Sequence, residues 1–377
     1  MLIEGINQGY VRPLSRVTYA PQDVSRAFKL LATSSHRGRV LLRMNELSSL
    51  AIYILYCLYS NFEINKTDAN LKLKKLSVYP IFQRHDQFDP NETYLVIIPG
   101  LEGHYAIFKR LCERLKLHTI VLQPVLEHYN DSVEEIAMRL LNVMKKNMHL
   151  NGKKFYLLGY SFGATVALEM ASLLEAQGLE GTVYCMDSSP GVFQKQLNRV
   201  IGHMTEPQLQ DAIAEQMCRL MTSEGIEPLK KELTLARNWN EKVLASLRHL
   251  KGRVPHSVQY ARLLIESAYG RVCAARNYNP NNLLSKINAQ VILLKGRVPE
   301  ELKLDYDYGL SKYSNGKVIV YELDCDHLGT TQDLRCSNIV NRHLDEDIIK
   351  AFSQLNLCDT YLENPTLFVA VIDESNL

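Results

Sequence analysis

The sequence carries almost no surplus of charge: 43 lysines and arginines face 41 aspartates and glutamates, a formal net charge of +2. That balance gives no electrostatic reason to expect a nucleic acid or an anionic membrane surface as partner. Eight cysteines are present but none forms a C-x-x-C pair, so the ligand spacing of a zinc or thioredoxin-like centre is missing and no metal is expected. The N-terminus, Met1-Leu2-Ile3-Glu4-Gly5, lacks the basic stretch and apolar core of a secretory leader. No Gly-x-Gly-x-x-Gly nucleotide loop occurs, nor any internal repeat or low-complexity tract. An uncharged run at residues 47–62, LSSLAIYILYCLYSNF, is shorter than the roughly 20 apolar residues a membrane span requires. It contains three serines and an asparagine, and it reads as a buried junction segment with membrane contact as the rival reading.

What is present is apolar material for a core. Hydrophobic residues make up 46% of 377, enough for one large domain or two unequal ones. The cysteines are scattered, and Cys57 and Cys185 lie inside apolar runs, as buried free thiols of a cytoplasmic protein would.

The chain divides into three parts. Residues 1–46 combine a helical pattern around Val24, Ala27, Phe28, Leu30 and Leu31 with a strand at Val40-Leu41-Leu42, too little to fold alone. Residues 47–90 form a junction. From residue 91 to 377 strands and helices alternate. Strands are predicted at 94–98, 119–122, 155–158, 182–186, 290–294 and 317–323, and helices at 105–115, 132–147, 164–177 and 341–355. This rhythm predicts an α/β fold, a mostly parallel sheet with helices on both faces. Residues 191–280 interrupt it with helical patterns at 206–222, 227–237, 240–250 and 257–277, which reads as a lid.

The sharpest motif is Gly159-Tyr160-Ser161-Phe162-Gly163, between a predicted strand and a predicted helix. That setting is required of a nucleophile elbow, whose strained turn lifts the serine hydroxyl above the sheet edge. The general base is expected downstream, after the last strand. His327, in Asp324-Cys325-Asp326-His327-Leu328-Gly329, fits that place, whereas His343 falls in a helix and His256 in the lid. For the acid, Asp187 closes the strand 182–186, while Asp305 and Asp307 follow the strand 290–294; the pattern leaves these open. Asp324 and Asp326 stand too near His327 in sequence to face it well. An oxyanion hole needs two backbone N–H groups. Phe162, after the serine, offers one, and Leu101 in the loop Pro99-Gly100-Leu101-Glu102-Gly103 offers the other.

Residues 94–360 resemble the thioesterase domain of animal-type fatty acid synthase. The resemblance is carried by Pro99-Gly100-Leu101-Glu102-Gly103, Leu122-Gln123, Gly159-Tyr160-Ser161-Phe162-Gly163-Ala164, Met186-Asp187-Ser188-Ser189-Pro190 and Cys325-Asp326-His327. It implies the α/β-hydrolase fold and a serine thioesterase with Ser161, His327 and Asp187 as triad, which favours Asp187 over its rivals. It further implies a long fatty-acyl chain on the phosphopantetheine of an acyl carrier protein as substrate, with the lid forming the acyl groove. Residues 10–44 resemble the end of the enoyl reductase domain of the same synthase. The ketoreductase and carrier domains that would stand between are missing, so no NADPH or other cofactor is expected, and loss of the usual dimer contacts points to a monomer. Two features depart from that pattern: Cys325 in place of the usual glycine, and the run at 47–62. A carboxylesterase or lipase with the same triad, and an inactive binding module, are the competing readings.

Overall fold

The computed structural model describes residues 15–19, 38–42, 82–83 and 90–354, apart from 102, 104, 123–129, 151–153, 223–224, 255–256, 284 and 299–302. The helix expected around 24–31, the run 47–62, Glu102, Gln123 and His256 lie outside the described residues.

Strands β1 (Ser15–Tyr19) and β2 (Gly38–Leu42) pair in parallel as a two-stranded sheet, in register from Ser15 opposite Gly38 to Tyr19 opposite Leu42. β2 covers the strand expected at 40–42.

The main sheet has seven strands, in the order β3 (Phe82–Gln83), β5 (His118–Val121), β4 (Tyr94–Ile98), β6 (Phe155–Tyr160), β7 (Gly181–Met186), β8 (Gln290–Lys295) and β9 (Val318–Glu322). Among the described residues, only the two-residue edge strand β3 runs antiparallel. The inner strands β4, β6, β7 and β8 read as continuous apolar runs because both faces are covered, whereas the edge strand β9 stays partly exposed. All residues of β4 and β6 are buried. Tyr94, Val96, Ile98, Phe155 and Leu157 enter one core; Leu95, Ile97, Tyr156, Leu158 and Tyr160 enter the other. That alternation is the strand period of two applied to strands covered on both faces.

The helices follow in chain order. A 3-10 turn over Tyr105–Phe108 runs into α1 (Lys109–Cys112), in place of the single helix expected at 105–115. Then come α2 (Val133–Asn147) and α3 (Phe162–Glu175). Ser132 caps α2 in a reciprocal box: its Oγ accepts from Glu135 N–H at 3.2 Å, and Glu135 accepts from Ser132 N–H at 2.7 Å. α2 and α3 cover the first core, and α1 and the last helix cover the second.

The stretch read as a lid holds α4 (Pro190–Ile201), α5 (Glu206–Met221), α6 (Glu227–Leu235), α7 (Trp239–Leu250) and α8 (Val258–Asn277), followed by the short α9 (Pro280–Leu283). α4 is a helix beyond those the sequence pattern predicts. Ser189 caps it by accepting from Val192 N–H at 3.1 Å, with Pro190 in its first turn. Helices α5 to α8 build a core of their own from Cys218, Leu229, Leu233, Val243, Leu247 and Ile265. The last helix, α10 (Leu334–Gln354), starts seven residues before the expected 341 because Asp333 takes the N–H of Arg335 at 2.8 Å. No described helix is long and apolar enough to cross a membrane.

β4 has β5 on one side and β6 on the other, so the chain reverses its winding direction there. The carboxyl ends of β4 and β6 therefore meet at a topological switch point, where open α/β sheets place their ligand sites. Gly163 seals that corner: a Cβ on it would stand 2.2 Å from the carbonyl oxygen of Ile98 and 2.4 Å from that of Pro99. Gly163→Ala should lower urea-unfolding stability by at least about 2 kcal/mol. Gly225→Ala, where a Cβ meets nothing within 4 Å, should change it by less than about 0.5 kcal/mol.

Candidate active site

Strand β6 ends in Gly159-Tyr160 and turns at Ser161, whose φ of 55° and ψ of −124° lie outside the regions L residues favour. Such strain persists only where surrounding contacts over-determine it. Here Ser161 N–H donates to Met186 O at 3.2 Å, and Ser161 O accepts from Ala164 N–H at 3.0 Å. Gly159 and Gly163 have no room for a side chain, since a Cβ on Gly159 would sit 2.3 Å from Gly163 O. Strand, turn and helix are thus in backbone contact, as the elbow motif predicts. Ser161 is nearly buried, at 3% exposure.

Asp187 leaves the end of the neighbouring strand β7, with its N–H on Leu294 O at 2.8 Å and a φ of 50°. Its Oδ2 lies 2.6 Å from Nδ1 of His327, so the imidazole donates Nδ1–H to the carboxylate. Its Oδ1 accepts from Gly296 N–H at 2.8 Å and from the Tyr308 hydroxyl at 3.0 Å. The imidazole rests on the ring of Tyr160, with centroids 4.8 Å apart, so it lies against the residue that precedes the serine. The histidine loop is closed by Gly329 N–H on Asp326 Oδ1 at 2.7 Å and by the Thr330 hydroxyl on His327 O at 2.6 Å.

The rival acids are engaged elsewhere. Asp307 caps its own turn, accepting from Gly309 N–H at 2.8 Å and Ser311 N–H at 3.0 Å. Asp305 pairs with Lys312 at 3.2 Å, and Asp324 with Arg297. His343 bonds the Tyr321 hydroxyl at 2.8 Å. Cys325, the departure from the synthase pattern, is half-buried, and burial pushes its thiol up to about 12.

Burial pushes the Asp187 carboxyl up to about 7, against the pull of its Gly296 and Tyr308 donors and the Lys295 ammonium. Burial also pushes the His327 imidazole down, to about 3, which keeps it neutral. Phe162 N–H opens α3, where the first turn has no acceptor within the helix. Leu101, buried at 6% exposure, follows β4 in a turn closed by Gly103 N–H on Gly100 O at 3.0 Å. Phe162 and Phe193 of α4 pack with ring centroids 5.6 Å apart, and both share one core with Leu101 and Val192. The surroundings of the elbow on that side are apolar.

A cavity of about 470 Å³ lies between the start of α2 and the face of α8. It is lined by Asp131, Glu134, Glu135, Tyr269, Cys273 and Tyr278 among others, and by none of Ser161, Asp187 and His327. Its carboxylates make it a poor place for a hydrocarbon tail. Among the described residues no group of histidine, cysteine and carboxylate side chains is arranged to hold a metal ion.

Sequence reasoning missed Gly296, Tyr308 and the stacking of Tyr160. Gly296 left a signal, as the glycine directly after β8; Tyr308 left none, since it reaches Asp187 from a turn with a φ of 55°.

A parallel sheet wound in this order, with a helical insertion after β7, is the α/β-hydrolase fold. A family model described as the thioesterase domain matches residues 93–344. The chain belongs to that family. Among solved structures, a four-domain holo nonribosomal peptide synthetase bound to AMP and glycine superimposes with a TM-score of 0.52 at 14% identity, over 90% of this chain and 27% of that one. The type II thioesterase BorB of the borrelidin biosynthetic cluster gives 0.44 at 16% identity, over 70% and 96%. The Vlm2 thioesterase domain bound with a dodecadepsipeptide gives 0.45 at 14% identity, over 68% and 95%.

Tyr308→Phe removes a donor that holds the Asp187 carboxyl down. A carboxyl raised in the folded state weakens the fold in full above its folded pKa, and the effect fades as pH falls from there toward the unfolded pKa, so a variant that raises it further differs from wild type only above the wild-type folded pKa. The variant should therefore be less stable by about 1 kcal/mol at pH 8. Urea titrations should show the gap shrinking as pH falls through about 7, where the carboxyl takes its proton.

Proposed function

We propose that the chain is a serine thioesterase in which Ser161 is the nucleophile, His327 the general base and Asp187 the group that orients and balances the imidazole. The observation that carries this reading is the 2.6 Å Asp187–His327 hydrogen bond beside a serine held at a φ of 55°. Neutral His327 takes the Ser161 hydroxyl proton as Oγ attacks the thioester carbonyl carbon. The oxyanion takes hydrogen bonds from the N–H groups of Leu101 and Phe162. The C–S bond then breaks, the sulfur leaves with the proton from His327, and an acyl-serine remains. Water attacks that ester as His327 takes its proton, and Ser161 is released with a free carboxylic acid.

The substrate under this proposal is a long-chain fatty acyl group on the phosphopantetheine of an acyl carrier protein. The apolar ring pair Phe162 and Phe193 beside the serine supports an acyl chain over a polar one. The synthase resemblance of residues 94–360 supports the carrier. Within the same proposal, residues 1–46 are a remnant of an enoyl reductase domain, 47–90 a junction and 91–377 the hydrolase domain with its lid at about 191–280. The protein acts in the cytoplasm as a monomer and needs no cofactor. The free thiols of Cys112, Cys185, Cys218 and Cys336, all buried, fit a reducing compartment.

Thiol release from palmitoyl-phosphopantetheine should fall at least about 10³-fold in Ser161→Ala and in Asp187→Asn, while Asp307→Asn stays within about twofold. Equal rates for wild type and Ser161→Ala would sink the assignment. A palmitoyl oxygen ester cleaved as fast as the thioester would point to a carboxylesterase instead.

A further inference from the structure

Arg271 belongs to the last long lid helix, α8, yet its side chain is buried, at 6% exposure. Burying a guanidinium is costly unless its donors are satisfied. Its Nε donates to the carbonyl oxygen of Leu101 at 2.6 Å, and its Nη1 donates to the Ser267 hydroxyl at 3.2 Å, one turn back on the same helix. The loop comes to meet it: Gly103 has a φ of 63°, and a Cβ there would stand 3.0 Å from Nη1 and 3.1 Å from Cζ.

From these contacts we infer that Arg271 is a positioning residue for the oxyanion hole, and that it couples the lid to the catalytic corner. This rests on the serine-hydrolase reading given above. The N–H of Leu101 shares a peptide unit with the carbonyl of Gly100, which the N–H of Gly103 holds at 3.0 Å. The next peptide unit presents the Leu101 carbonyl, which Arg271 holds. With both planes fixed, the Leu101 N–H has one direction. Glycines at 100 and 103 make this loop supple, and its own Gly103–Gly100 bond fixes only the first plane, so the hold on the second has to come from outside it. Arg271 supplies it from a helix of the lid. A lid helix that moves away takes the loop's anchor with it, so the hole is complete only while α8 is seated on β4's end.

The role is one of orientation, so its loss should fall on the transition state. In Arg271→Met, kcat for palmitoyl-phosphopantetheine should drop about 10- to 100-fold with KM within about threefold, less than the roughly 10²- to 10³-fold loss of an oxyanion donor itself. An alkyl boronic acid, whose tetrahedral serine adduct places an oxygen in the hole, should lose affinity by the same factor. Arg271→Lys, with its charge but no fork, should fall between. Gly103→Ala displaces the same contact from the loop side and should give the same paired loss, which serves if Arg271→Met does not fold. A folded Arg271→Met, or Gly103→Ala, with wild-type kcat and boronate affinity overturns the inference alone. A wild type that neither turns over the thioester nor binds the boronate overturns the hydrolase reading, and this inference with it.

Discussion

The arrangement depends on a place where no side chain fits. The start of α3 lies against the end of β4 so closely that a Cβ on Gly163 would stand 2.2 Å from the Ile98 carbonyl oxygen. This contact ties the elbow, delivered by β6, to the loop that follows β4. A strained serine costs about 1–3 kcal/mol. The buried ladders on either side are where that cost is offset, because β6 pairs with β4 and β7 and cannot relax without breaking both. The same contact points the N-terminus of α3, with its partial positive charge, at the corner where an anion would develop.

The parts of this corner that a reader of the sequence can find are those fixed by chain order and local pattern. Strands β4, β6, β7 and β8 stand out because burial on both faces makes them uninterrupted apolar runs. Ser161 stands out by its flanking glycines, and His327 by lying just past the last strand. The acid was different. Asp187, Asp305 and Asp307 all follow strand ends, and nothing local says which loop turns toward the imidazole; Asp307 turns inward to cap its own backbone instead. The early start of α10 was hidden because it depends on Asp333 as a cap, in a stretch of Thr330, Thr331 and Gln332 with little helical character.

Arg271 marks the limit of such reading. An arginine in a helix ordinarily belongs to the solvated face. Its partner here is a backbone carbonyl 170 positions earlier. A carbonyl has no residue type, so no pattern in the sequence announces the pairing. Tyr308 is hidden in the same way: its hydroxyl reaches Asp187 because of a left-handed backbone turn that a tyrosine seldom takes.

Burial gives the acid–imidazole pair its logic. Out of water, both the carboxylate and the imidazolium are disfavoured, and burial moves the two groups toward their neutral forms. Gly296 and Tyr308 act against that on the acid side, since each donates to Asp187 Oδ1 and stabilises its charge. His327 at rest is then a neutral base held in one tautomer by Oδ2. Were it to take a proton, as proposed, the two charges would stand 2.6 Å apart in a setting that screens them weakly, and their attraction would be large. Under the proposed mechanism the oxyanion side would meet the same demand by geometry: backbone N–H groups would already have to face the place where charge appears, because a dry corner has no solvent to reorganise around it. A lid that both excludes water and, through Arg271, aims one of those N–H groups would make closure and electrostatic readiness a single event.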